Sequence, residues 1–323
     1  MRAIQISSFG NPADVLTLIN APEPRQPGSN EALLQVEYAP INANDLLLIK
    51  GTFHYTPSLP TIVGNEGVGG VLAIGLDVQS VKVGDRVLLP LYSNSWRERI
   101  VVPARKLVPL PPEADVRQLA MLRINPPAAA LMLSEYVKLN PGDWVIQNAA
   151  NSGVGRAVIA FGKARGCRII SMVRRPDVVA ELEAAGSEVV LVDDEAAPDR
   201  IAKAVGDGTV RLALDGVGGP ATARLARALS PHGHLVAYAF MGDYAAPADL
   251  RPMMDKELTL HSFYQVRPQY DAKIPGILAE ATTMIVTGEL YAPVAATYPL
   301  SAIKEAVAHA ERGGKVLLDA QKP

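Results

Sequence analysis

The apolar positions of this chain change their period once. Up to about Pro112 they come in short runs with β-type alternation: EALLQVEYAPI, GVGGVLAIG and DRVLLPLY, separated by Pro, Gly, Asn and Asp. Pro22, Pro24, Pro27, Pro57, Pro60, Pro103, Pro109, Pro111 and Pro112 break any long helix there. This stretch predicts an irregular or barrel-like β domain. From about Pro127 strands and helices alternate. The strand DWVIQNA leads into an apolar-faced helix. RIISMV, EVVLVD, VRLALDGVG and HLVAYAF follow as strands, with PDVVAELEAAG, APDRIAKAVGDG and PATARLARALSPHG as the helices between them. Such alternation with short connections predicts a parallel sheet covered by helices. The last part is mixed: strand LTLHSFY, helices near Tyr270–Thr287 and Ser301–Gly313, and strand KVLLDA. We place a nucleotide-type domain at 126–265, and a second domain at 1–125 completed by 266–323.

Composition narrows the function class. The 323 residues are 49% hydrophobic and 20% charged, with a formal net charge of -2. No basic excess points to nucleic acid or an anionic membrane. The single cysteine, Cys167, excludes an intramolecular disulfide framework and a four-cysteine zinc lobe. The N-terminal MRAIQISSFG shows neither a long apolar core nor an Arg/Ser-rich presequence, so the cytoplasm is expected. No apolar run reaches the roughly 18 residues of a membrane span.

The candidate chemistry starts at QNAANSGVGRAVIAFGKARG, residues 147–166. Small residues sit where the first strand of a dinucleotide fold turns into its first helix. There they let backbone N–H groups approach a pyrophosphate at the positive helix end. The G-x-G-x-x-G fingerprint is met in part: Ala150 and Ser152 hold the first two glycine places, Gly155 holds the third, and Gly153 adds room. Asn151, Ser152, Gly153, Val154 and Gly155 are the candidate phosphate residues. The second strand ends at Arg174-Arg175. A carboxylate there would suit the ribose of NAD; two guanidiniums suit the 2′-phosphate of NADP. Two solvated arginines opening a surface helix are the alternative.

The stretch INPPAAALMLSEYVKLNPGDWVIQNAANSGVGRAVIAFGKARGCRIISMVRRPD resembles the zinc-independent medium-chain dehydrogenase/reductases. It is most similar to their trans-2-enoyl-thioester reductases and quinone oxidoreductase-like members. The likeness extends through PINANDLLLIKG, PSLPTIVGNEGVG and RLALDGVGG to GGKVLL. It implies an α/β chain: a Rossmann doubly wound parallel sheet domain plus a GroES-like, β-rich catalytic domain. It also implies a cleft between them, NADPH as hydride donor, and a homodimer. Where zinc-dependent relatives place cysteine and histidine, INAND and GNEG put Asn42 and Asn65. Neither amide replaces a thiolate or imidazole in a tetrahedral zinc site, so no metal is expected. Among the five histidines only His232 and His234 are close in sequence, and they read as turn and strand residues.

The resemblance assigns further residues. The family's proton donor is a tyrosine in the loop that here reads IKGTFHYTPSLP, and its position is Phe53. Phenylalanine has no proton to give. An extended loop would put Phe53 and Tyr55 on one face, so Tyr55 becomes the expected acid. Phe53, His54 and Tyr264 are expected to line the substrate pocket. Asn42, Asn125, Tyr238, Ala239, Phe240, Met241, Phe263, Tyr264, Gln265 and Lys315 are expected around the cofactor. The implied activity is NADPH-dependent reduction of an activated C=C bond, in an enoyl thioester or small enone. A quinone reductase and a non-catalytic NADPH-binding protein are the alternatives.

Overall fold

The computed structural model describes residues 1–242, 249 and 251–323. The chain forms two compact units. One comprises Met1–Ile124, Ile285–Thr287 and Ala292–Pro323; the other comprises Asn125–Met284 and Gly288–Tyr291.

The first unit is built on a seven-stranded sheet. Its long strand Glu31–Ile41 pairs antiparallel with Val68–Ile74, with Arg99–Pro103 and with Lys315–Asp319. Val294–Pro299 continues the sheet beyond Lys315–Asp319. Alternation dictates the packing: Ala32, Leu34 and Val36 point inward and meet Val87, Leu89, Trp96 and Leu318 in one apolar core. Trp96 is fully buried and donates its indole N–H to the Pro40 carbonyl at 3.3 Å. A helix at Ala43–Lys50 departs from the all-β expectation. It is short enough to fit between Pro40 and Pro57. The Asp45 carboxylate accepts the Asn42 N–H at 2.8 Å at its start, and Gly51, at φ 73, ends it.

The second unit carries six parallel strands. Their order in space is Val189–Val192, Arg168–Val173, Trp144–Gln147, Val210–Asp215, His234–Ala237, Thr259–Ser262. Numbered along the chain this is 3-2-1-4-5-6, the doubly wound order. Its topological switch point lies between Trp144–Gln147 and Val210–Asp215. Trp144, Ile146, Ile170, Met172, Leu225 and Leu235 make the core. Residues 266–284 stay with this unit, although the sequence expectation returned the chain to the other domain at 266. Side-chain packing holds them: Tyr270 is buried against Phe263, with ring centroids 6.0 Å apart, and Lys273 pairs with Glu135 at 2.6 Å. Among the described residues no helix is long and apolar enough to cross a membrane.

Candidate active site

In the second unit the strand Trp144–Gln147 feeds a tight turn, and the helix Gly153–Ala164 starts at once. Ser152 caps it: its hydroxyl accepts the Gly155 N–H at 3.1 Å. Gly155 is sterically required by backbone, and Gly153 gives room to the Asn125 side chain. A Cβ on Gly155 would lie 2.4 Å from the Ala150 carbonyl oxygen, and one on Gly153 would lie 2.6 Å from the Asn125 amide nitrogen. Ala149 adopts a left-handed φ of 49, so the strained residue of the turn precedes the Ala150 position expected from the fingerprint.

Below the turn lies a polar floor that sequence reasoning missed. Asn148 is buried and donates to Asp215 at 2.7 Å, while its amide oxygen accepts the Gly216 N–H at 2.7 Å. Asp215 also accepts the N–H groups of Val217 and Gly218 and the Thr222 hydroxyl. These bonds stitch together the two strand ends that flank the switch point. An Asp closing a strand ahead of Gly-Val-Gly-Gly was the available signal.

Two polar groups beside the turn have no partner. Asn125 is 8% exposed, and its amide nitrogen, the atom facing Gly153, makes no hydrogen bond. The Tyr238 hydroxyl is buried close to Gly216 and Ser152 without completing a hydrogen bond. Burial raises this phenol above its ordinary pKa and keeps it protonated. A helix of 12 residues whose bare N-terminus faces unpartnered donors is chemically fit for a diphosphate.

The other expected cofactor residues fall as follows. Asn151 is exposed, and Val154 is half-buried. Arg174 is exposed, and Arg175 pairs only loosely with Asp177, at 3.5 Å. Phe240 and Met241 are exposed, and the Met241 N–H donates to Gly216. Ala239, Phe263, Tyr264 and Gln265 are half-buried just past the ends of the fifth and sixth strands.

Asn42 and Lys315 belong to the first unit, where they meet. Lys315 Nζ donates to Asn42 Oδ1 at 2.7 Å, and Asn42 Nδ2 donates to Glu66 Oε1 at 2.8 Å. Glu66 Oε2 accepts the N–H groups of Arg123 and Ile124, each at 3.0 Å. Asp45 beside it also accepts the Asn65 N–H at 2.9 Å. Burial raises both carboxyls to about 7, against the pull of Lys315. Burial lowers the Lys315 ammonium, against the same two carboxylates. The donor set does not fit zinc: Asn42 has both amide atoms committed, and Lys315 already supplies the positive charge. Among the described residues no three His, Cys, Asp or Glu side chains are grouped to hold a metal.

The loop after Gly51 does not put Phe53 and Tyr55 on one face. The chain bends at Phe53–His54. Phe53 packs on the first unit's core, 4.0 Å from the His54 ring and 6.5 Å from Tyr92, while Tyr55 is 52% exposed. The apolar ring turns inward and the phenol outward, as their solvation energies dictate. His54 titrates below its ordinary range because it is partly desolvated.

The histidine pairing is also different from the sequence pattern. His232 faces Glu257 at 3.3 Å. His234 Nδ1 instead lies 2.9 Å from His261 Nε2, on the neighbouring strand.

The alcohol dehydrogenase GroES-like domain model matches residues 28–112, and the zinc-binding dehydrogenase model matches 153–281. The mitochondrial enoyl-(acyl-carrier-protein) reductase of Rattus norvegicus is 33% identical over 317 residues, covering 95% of this chain and 84% of that protein. A Bacillus thuringiensis structure assigned as an NADPH:quinone reductase superposes with a TM-score of 0.86 at 27% identity, covering 98% of both chains. The mitochondrial 2-enoyl thioester reductase Etr1p/Etr2p heterodimer of Candida tropicalis gives 0.87 at 25%, covering 98% of this chain and 99% of that one. With the doubly wound sheet, the GroES-like unit and amides at both zinc-ligand positions, the chain belongs to the medium-chain dehydrogenase/reductase superfamily, among its enoyl-thioester reductase and quinone oxidoreductase-like members.

Proposed function

We propose that this protein is an NADPH-dependent reductase of a C=C bond conjugated to a carbonyl, in a 2-enoyl thioester or a small enone. The observation that carries the reading is the bare N-terminus of helix Gly153–Ala164, where no Cβ fits at Gly155 and the Asn125 amide waits unpartnered. NADPH, when bound, supplies the hydride. The chain's own residues bind and orient. The helix end and Ser152 hold the diphosphate, Asn125 and Tyr238 offer donors beside it, and Arg174 with Arg175 takes the 2′-phosphate. Ala239–Met241, Phe263–Gln265, Asn42 and Lys315 complete the proposed cofactor surroundings. Addition to the β-carbon moves charge to the carbonyl oxygen, and the α-carbon then needs a proton. Tyr55 is the proposed donor, with Phe53, His54 and Tyr264 around the substrate.

A quinone reductase is the second reading. It needs no carbon acid, which suits a loop whose inward residue is Phe53. One panel separates the readings. NADPH is offered with crotonyl thioester, a simple enone or a benzoquinone, and loss of cofactor absorbance is followed. Thioester or enone turnover supports the first reading, and quinone turnover alone supports the second. Tight binding with no turnover identifies a non-catalytic NADPH-binding protein. Tyr55→Phe should slow enone or thioester reduction by roughly tenfold or more and leave quinone reduction unchanged; an unchanged enone rate removes Tyr55 as the acid.

The proposal extends to a homodimer in the cytoplasm. Strand Thr259–Ser262 ends the six-stranded sheet, and Leu260 on it is 54% exposed, an edge suited to a second copy. Light scattering after size exclusion tests the copy number, and cell fractionation tests the compartment.

A further inference from the structure

The chain leaves the first unit after Ile124, touches it again at Ile285–Thr287 and returns to stay at Ala292. A buried polar side chain holds the main chain at the first and the last of these points. Glu66 accepts the N–H groups of Arg123 and Ile124. Gln118, 6% exposed, makes both bonds to Ala292, donating to its carbonyl and accepting its N–H at 2.9 Å each. Gln118 thus does for one residue what a neighbouring strand does for a row of them.

Behind Glu66 the hydrogen bonds run in one direction. Lys315 only donates, so it takes the Asn42 oxygen. That leaves the Asn42 NH2 to donate to Glu66, and the backbone N–H groups donate to Glu66 from the other side. Position 66 must therefore accept on both of its oxygens, which among the side chains of this length only a carboxylate does. A buried carboxylate is costly unless such bonds satisfy it, and here every one of them ends on it.

We infer that Lys315, Asn42 and Glu66 form an anchor for the crossover, and that Glu66 is a positioning residue for cofactor binding. It fixes Arg123 and Ile124, and the next residue is Asn125, whose amide lies against Gly153 at the dinucleotide turn. The inference rests on the NADPH reading of that turn.

The test exploits bond polarity. Glu66→Gln keeps the shape but sets an NH2 group against the Asn42 NH2, or against the backbone N–H groups. The double variant Asn42→Asp with Glu66→Gln moves the negative charge one link along. The new carboxylate accepts from Lys315 and from the amide at position 66, whose oxygen still takes the two N–H groups. Amide hydrogen exchange at residues 123–125 and the Kd for NADPH, from fluorescence titration, are the readouts. E66Q should lose protection at Arg123 and Ile124 and bind NADPH roughly tenfold more weakly. The double variant should recover the protection to within about twofold. Lost protection with an unchanged Kd overturns the positioning role. A double variant no better protected than E66Q, or one that does not fold, overturns the circuit. If E66Q alone does not fold, recovery of the fold and the protection in the double variant supports it. A wild type that binds no NADPH removes the cofactor reading and the positioning role with it. A wild type that binds, beside an E66Q that binds equally well, removes the positioning role alone.

Discussion

The two polar centres of this molecule are built from similar side chains and are finished differently. Around Glu66 in the first unit each carboxylate and the lysine has its partners and the amide of Asn42 is used at both ends, although the neighbouring Asn65 amide nitrogen and Asn44 amide oxygen are buried without partners. Around Gly153 in the second unit the Asn125 amide nitrogen and the Tyr238 hydroxyl are buried without partners. An unmade buried hydrogen bond costs about 1–3 kcal/mol, and a fold tolerates it where something else completes it. Orphaned atoms thus occur in both, and what separates the centres is their setting: the first, closed around its paired charges, reads as architecture, and the second, open at a helix N-terminus where no Cβ fits at Gly155, reads as a binding site. Charge alone would have ranked them the other way, since the carboxyls that burial raises to about 7 both lie in the closed centre.

The largest test of this contrast is Gly155→Ala. Its methyl group would meet Ala150 backbone at 2.4 Å, so the turn must open. NADPH binding should weaken at least roughly a thousandfold, about 4 kcal/mol, in a calorimetric titration, while the fold persists by circular dichroism. Near-normal affinity would mean that this turn is not the site.

The closed centre is tested by pH. The Glu66 carboxyl, ordinarily at 4.5, is raised to about 7 by burial. A raised carboxyl contributes its stability below the unfolded value and loses it as pH climbs through the folded one. Urea unfolding of the wild type should thus lose stability relative to Glu66→Gln between pH about 4.5 and 7. The full change is on the order of 3 kcal/mol, shared in part with Asp45 and Lys315. A constant difference between the two proteins across that window would contradict the assignment.

Arg174→Ala sharpens the open centre. It should weaken NADPH roughly tenfold and leave NADH unchanged, since only the phosphorylated ribose offers a charge-assisted partner. Equal losses for both coenzymes would refute it. The smallest effect is Ala149→Gly, which relieves a left-handed alanine at φ 49. Thermal unfolding should show a gain of about 0.5 kcal/mol, the strain relieved less the added chain entropy of glycine.

Much of the fold was legible because period carries it. Strands Glu31–Ile41 and Arg168–Val173 appear where alternation and apolar runs place them. The dinucleotide turn was legible because glycine next to a strand end is a local signal. Long-range pairings were not. Lys315 and Asn42 are 273 residues apart, and His234 and His261 are 27 apart on adjacent strands. No local pattern brings such groups together; sheet order does. The helix Ala43–Lys50 was hidden by flanking prolines, although the Asn-x-x-Asp of its start was a readable cap. The bend at Phe53–His54 follows from core packing, which alternation in a loop does not encode.

One feature of the sheet bears on how the protein is made. The strand Lys315–Asp319 pairs residue by residue with Tyr38–Ile41 and brings the lysine that closes the Glu66 circuit. A ribosome releases that strand only after the nucleotide unit, which precedes it in the chain, has been made. The strand Glu31–Ile41 must therefore wait, with part of its sheet edge and a buried carboxylate uncompensated, until Lys315–Asp319 has emerged. Chaperone dependence should concentrate in that interval.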